Sequence, residues 1–300
     1  MKGHDPLSKV VKSFKEEGFS IIIKKSINYY LGINYYLGIN YFLGKFFGIR
    51  LIRVNKDFYK SNSIFSNRKL EYSKKGFFYV NPMPTVNELN EYYSNVYWDD
   101  YGINPNGKNY GVSLRDLTHW NILQEYIGEF INGRKLTILN FGAGHGGISN
   151  ILWMQGHNVI NVEPSGVPKF YSERWEHYKD IEQVPSESID IVYGSHSLEH
   201  VQNIDKFEEE IKRILKKDNY IFWEVPNADN PDGGAIRGQI DVPHTYYFKK
   251  EYFDNCFDEI LLNDAYDSGE QFKDNIVDKW SSFKNAQGQV IRVLGKYNNL

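Results

Sequence analysis

The segment Leu139–Gly147, LNFGAGHGG, constrains this chain more than any other. It follows a short apolar run, Lys135 to Phe141, and opens a helical pattern from Gly147 to Gln155. Gly142, Gly144 and Gly146 permit a tight turn and let a ligand approach the main chain. The helix that starts there aims free N–H groups at the same place. A glycine turn between a strand and a helix is the opening unit of an open α/β sheet.

The rest of the chain extends that pattern. Apolar runs at Val159–Val162, Ile189–Tyr193 and Tyr220–Val225 read as strands. Phe207, Ile211, Ile214 and Leu215 fall at helical offsets between two of them. Such alternation predicts a mostly parallel, Rossmann-like sheet with helices on both faces. Upstream, Leu117, Trp120, Ile127 and Ile131 mark a helix over Leu114–Ile131. Thr85 with Glu88 is a capping box that starts a shorter helix. The expected organisation is an arm over 1–60, an entry segment over 61–115 and the sheet domain over 116–300.

The arm carries the hexapeptide INYYLG three times between Ile27 and Gly44, the last copy as INYFLG. Each copy holds an Asn, a Gly and two aromatic residues, which argues against a membrane span. A helical or aromatic packing arm is expected, meeting either another copy of the chain or a membrane surface. A net charge of −3 supplies no basic field for nucleic acid. The lone Cys256 forms neither an internal disulfide nor a multi-cysteine zinc site, so a cytoplasmic location is the default expectation.

Glu163 ends the second strand of the sheet domain, 21 residues after Gly142, where a carboxylate can accept hydrogen bonds from a ribose. The loop spacing is G-x-G-x-G, where a nicotinamide fingerprint would run G-x-G-x-x-G. DIEQVP and IDIVYGSHSLEHV follow downstream. From about Leu136 to Leu294 the chain resembles the class I S-adenosylmethionine-dependent methyltransferases. The resemblance implies S-adenosylmethionine as cofactor. It assigns the methionine part to Gly142, Gly144 and Gly146, the ribose to Glu163 and the adenine to Asp180. Phe141, Ala143, Pro164, Ile181 and Ser195 complete the implied donor site. Asn140 stands where the family often has Asp or Glu, and its amide oxygen can still accept a hydrogen bond.

His196, Glu199 and His200 match H-x-x-E-H, a zinc-peptidase pattern if carried on a helix. The string follows a strand of a nucleotide-type sheet, where methyltransferases commonly carry LEH, so a peptidase is discounted and no metal dependence is expected. The later His244-Thr245-Tyr246-Tyr247-Phe248 resembles an H-x-x-x-F element of bacterial methyltransferases acting on surface-polysaccharide sugars. The resemblance implies O-methylation of a nucleotide-linked or polymer-linked sugar in capsule or lipopolysaccharide biosynthesis. Nitrogen or carbon acceptors, a nucleotide-sugar oxidoreductase or epimerase, and an inactive scaffold are the alternatives. A sugar hydroxyl needs help in losing its proton, and the expected order of candidates is His200, His244, His196.

Overall fold

The computed structural model describes residues 63–65, 67–95, 112–164, 174–240, 243–267, 270–273, 276–280 and 284–297. The INYYLG repeats, and with them the expected arm and its contacts, lie outside these residues.

In chain order the structure starts with a hairpin, β1 (Lys69–Ser73) and β2 (Phe77–Asn81), and then α1 (Val86–Asn95) and α2 (Leu114–Ile131). The sheet domain continues through β3 (Thr137–Phe141), α3 (Gly147–Met154), β4 (Asn158–Val162), β5 (Glu176–Tyr178) and β6 (Ile189–Ser195). Next come α4 (Ile204–Ile214), β7 (Leu215–Pro226), β8 (Tyr246–Phe248), α5 (Lys250–Asp254) and β9 (Phe257–Tyr266). The small β10 (Glu270–Lys273) and β11 (Ile276–Trp280) precede β12 (Val290–Tyr297).

Seven strands form the main sheet in the order β5-β4-β3-β6-β7-β12-β9. The pairs from β5 to β7 are parallel, and β12 runs antiparallel to both of its neighbours. The expected α/β fold is therefore present. Alternation along the strands sorts side chains onto two faces. Leu139, Val192, Ile221 and Val293 pack with Phe207, Ile211 and Ile214 of α4. Ile138, Ile191, Phe222 and Leu294 pack with α2 and α3, through Leu123, Ile127, Ile131, Ile148 and Ile151. Leu215, expected to continue the helix, instead begins β7, because α4 ends at Ile214 and Leu215 takes extended angles as its C-cap.

Two caps fix the helices that flank the sheet. Asn203 accepts the Lys206 N–H at 3.0 Å and starts α4, whose last turn carries Lys212 and Arg213 at the negative end of its dipole. Ser113 and Asp116 form a capping box at α2, with Ser113 N–H donating to Asp116 Oδ2 at 2.8 Å. The expected box at α1 also forms, since Thr85 N–H donates to Glu88 Oε2 at 2.7 Å.

The entry segment differs from expectation. Its hairpin joins β8 in a separate three-stranded antiparallel sheet, β1-β2-β8, with Phe77 opposite Phe248. Phe77 stands edge-on to Tyr246, Phe248 and Tyr252, so part of the aromatic content is used to seat this small sheet on the domain. Among the described residues, no helix is long and apolar enough to cross a membrane.

Removing the α2 cap tests how much that helix depends on it. Ser113→Ala is expected to lower stability by about 1 kcal/mol, read as a fall in the urea midpoint at unchanged slope.

Candidate active site

Strand order reverses between β3 and β6, so the loops after these two strands face one crevice at the C-terminal edge of the sheet. After β3, Gly142, Gly144 and Gly146 all take left-handed backbone angles, with φ of 68°, 50° and 71°. At Gly142 a Cβ would also stand 2.3 Å from Ser197 Cβ, so the glycine turn lies directly against the turn that follows β6. At Gly144 a Cβ would meet nothing within 4 Å, which marks the open side of the cradle. Glu163, buried at the end of β4, accepts the Gly144 N–H at 2.9 Å. A carboxylate beside an open glycine loop suits an adenosyl cofactor, with backbone donors on one side and a ribose acceptor on the other.

The other expected donor-site residues divide into two groups. Asn140 is buried and donates to Ser149 Oγ at 2.8 Å, and Ser149 donates to Asn161 at 2.7 Å; this chain of bonds ties β3, α3 and β4 together. Phe141 packs on Phe207, with ring centroids 4.6 Å apart, and Ala143 is buried in the turn. Pro164 is exposed beyond Glu163. Asp180 starts the short helical turn Ile181–Gln183, with Ile181 buried beneath it. Ser195 turns to a different task, donating to Glu224 Oε1 at 3.1 Å.

Glu224 and its partners form a site feature that the motif reading missed. Its side chain is 1% exposed, and Oε2 accepts Arg292 Nε–H at 2.8 Å and lies 2.8 Å from His119 Nε2. Arg115 Nε stands 3.6 Å from Oε1. Burial alone would raise the pKa of this carboxyl, but His119 and His196 outweigh it and hold the group well below the usual carboxylate range. Burial holds His119 below its ordinary value, which fits a neutral ring donating from Nε2 to Glu224 and accepting from Tyr193 Oη at Nδ1, 2.7 Å away. The sequence did carry a signal. Glu224 and Arg292 are charges set within the apolar runs YIFWEVP and VIRVLG, and they pair in register across β7 and β12.

HSLEH is not on an α-helix. Leu198–His200 is one 3-10 turn, and His196 precedes it with a left-handed φ of 52°. The helical facing expected for His196, Glu199 and His200 is replaced by a tighter grouping that also takes in His244. Glu199 lies among the histidines. Its Oε1 is 3.4 Å from His196 Nδ1 and 3.9 Å from both His200 Nε2 and His244 Nε2. The second nitrogen of His196 is 3.4 Å from Glu224 Oε1. Burial opposes charge on the His196 ring, yet the two carboxylates prevail and hold its pKa up at about 9. Burial works against the Glu199 anion too, and His196, His200 and His244 bring its pKa down to about 2. Burial and the neighbouring His200 push His244 down to about 3, and burial lowers His200 as well.

The loop between β7 and β8 brings His244 to this place. Thr245 N–H donates to Glu199 O at 2.9 Å, and Thr245 Oγ1 lies 2.8 Å from Glu199 O and 2.7 Å from Val201 O. The rings of His200 and His244 meet edge to face with centroids 4.9 Å apart, and Tyr247 stands 5.6 Å from His244.

The family model described as "Methyltransferase domain" matches residues 119–263, which span the glycine loop, Glu163, the histidine cluster and Glu224. Over residues 119–263, just under half of its length, the chain is similar to a methyltransferase domain. Its cofactor is S-adenosylmethionine, and the glycine cradle with Glu163 fits that group. Among solved structures, the chain is similar to an S-adenosylmethionine-dependent methyltransferase of Thermotoga maritima, described as a possible histamine N-methyltransferase. That match has 15% identity over 61% of this chain and 96% of the other, at a TM-score of 0.42. An S-adenosylmethionine-dependent methyltransferase of Archaeoglobus fulgidus matches at 17% identity over 60% and 94% of the two chains, also at 0.42. A protein of Anabaena variabilis, named as a methyltransferase from an antibiotic biosynthesis pathway, shares 24% identity over 38% of this chain, at 0.33. The match spans just under half of that protein, 47% of its length. No curated protein matches the sequence.

The buried ion pair beside His196 gives a direct test. Glu224→Gln leaves the fully buried Arg292 without its counter-charge and is expected to cost about 3 kcal/mol, read by urea unfolding. A variant as stable as the parent would show that the pair does not hold β7 to β12.

Proposed function

We propose that this chain methylates a hydroxyl of a nucleotide-linked or polymer-linked sugar, as in capsule or lipopolysaccharide biosynthesis. The observation that carries the reading is the contact between the donor cradle and the histidine cluster, where Gly142 abuts Ser197 one turn before Glu199 and His200. When bound, S-adenosylmethionine supplies a methyl on a sulfonium, which keeps the electron pair of the broken S–C bond as an acceptor lone pair takes the carbon.

The chain's own residues then have two tasks. Glu163 receives the ribose hydroxyls beside the glycine N–H groups, and this holds the donor in one orientation. Activating the acceptor's hydroxyl falls to the cluster of Glu199, His200 and His244. His196 drops out of that role, because each of its ring nitrogens faces a carboxylate at 3.4 Å. His200 donates from Nδ1 to Pro243 O at 3.3 Å, which leaves Nε2 unprotonated on the side of Glu199. An oxygen acceptor suits this polar cluster better than a carbon acceptor, which would need a stronger base.

Two measurements test the reading in turn. Glu163→Ala is expected to weaken S-adenosylmethionine binding by about 2 kcal/mol in calorimetry, the size of lost bonds to a charged group. Unchanged affinity in the folded variant would remove the donor assignment. Incubation with donor and a panel of nucleotide-activated and free sugars, read by mass, is expected to yield a product heavier by one methylene. Methylation of amine acceptors alone would overturn the sugar hydroxyl.

A further inference from the structure

HSLEH on its own does not assemble a metal-binding face. His196 is turned between two carboxylates, and the three residues that converge are Glu199, His200 and His244. Each offers one donor atom, and these atoms all lie within 4.8 Å of one another. The two separations from Glu199 Oε1 are 3.9 Å each. An ion bonded at ~2.1 Å holds tetrahedral donors ~3.4 Å apart, so each of these two separations closes by ~0.5 Å when the ion is bound, a small side-chain rotation.

The surroundings fit ligands more closely than they fit a proton relay. Glu199 is 1% exposed, and neither of its carboxylate oxygens accepts a hydrogen bond among the described residues. Nδ1 of His244 is buried and likewise has no hydrogen-bond partner among them. A buried carboxylate whose oxygens accept no hydrogen bond keeps lone pairs that a cation can take, beside the ion pair it makes with His196 at 3.4 Å. His200 has the support typical of an imidazole ligand, its Nδ1–H held by the Pro243 carbonyl so that Nε2 faces inward. Thr245 fixes the backbone of Glu199 to the loop that carries His244, so the donors sit on stapled segments.

We propose that Glu199, His200 and His244 bind one divalent first-row transition-metal ion. Two imidazoles and one carboxylate favour Mn2+, Fe2+, Co2+ or Zn2+ over Mg2+ and Ca2+, which take oxygen donors. Three protein donors leave positions open for an outside oxygen. Only the use of the ion rests on the methyl-transfer reading: beside the donor cradle, it would lower the pKa of a coordinated acceptor hydroxyl. This replaces the expectation of a metal-free site, because the loop histidine His244 completes a set that HSLEH alone lacks.

The test is metal binding by the full-length protein, without acceptor. After chelation and dialysis, Co2+ is titrated while visible absorption is followed, and Zn2+ is titrated in a calorimeter. One equivalent is expected, with a Co2+ ligand-field band and no comparable heat from Mg2+. His244→Ala and Glu199→Gln should each weaken Zn2+ by more than the roughly 100-fold that loss of a bond behind a ligand can reach. His196→Ala should bind Zn2+ within about three-fold of the parent or more tightly. Binding of S-adenosylmethionine by each metal-free variant reports folding, and separately reports the donor reading. Absence of a saturable 1:1 Co2+ signal in the parent would overturn the site. Unchanged Zn2+ affinity in a donor-binding His244→Ala protein, or an equal loss in His196→Ala, would also overturn it.

Discussion

The carboxylate of Glu224, buried in the middle of the sheet, is the group on which the rest of the arrangement depends. It meets Arg292 across the β7–β12 pair, His119 from α2, and Ser195 and His196 at the end of β6. Burying a charge of this kind costs several kcal/mol unless its lone pairs are satisfied, and here partners from three elements satisfy them. Arg292 contributes a second interaction, its guanidinium lying 4.7 Å from the centre of the Tyr266 ring. The pair does little for stability that apolar residues could not do. Its distinct effect is positional, because the same carboxylate that locks β12 into register also fixes the first histidine beyond β6.

The crevice is then assembled from two sides. One side is local: β3, the glycine turn, α3 and β4 are successive in sequence, and Asn140, Ser149 and Asn161 bind them together. The other side is not. Glu199 and His200 follow β6, whereas His244 arrives on a loop whose end is held by β8, and β8 pairs with β2 from the entry segment. The glycine cradle thus belongs to the sheet, and the histidine cluster depends partly on the small sheet beside it.

This division explains what the sequence made legible. The glycine spacing, the apolar runs and Glu163 are signals written within about thirty residues, and each is found where the pattern placed it. The capping box at Thr85 is equally local, and the one at Ser113, which has the same spacing, was not read. The β1–β2 hairpin was not read, because its strands mix charged and aromatic residues, KLEYS and FFYVN, and bury one face only in part. HSLEH misled because its spacing fits a helix, while the backbone turns through a left-handed residue at His196 and a single 3-10 turn. The convergence of Glu199 with His244 depends on Thr245, 46 residues from Glu199, and no spacing rule reports such a bond. Glu224 and Arg292 were readable only as charges out of place in apolar runs.

The β2–β8 pairing has a consequence for the order in which the chain can become competent. Phe77 and Phe248 are strand partners far apart in sequence, so their union requires closing a long loop, and such contacts are gained late. The parallel core and its glycine turn need no such closure beyond their own crossovers. A nascent chain that has emerged through β7 therefore contains the parts of a donor pocket, with Glu199 and His200 present but His244 not yet made. Chemistry that needs all three side chains therefore waits until the chain extends past His244, and the β2–β8 pair then joins the strand that follows His244 to the hairpin.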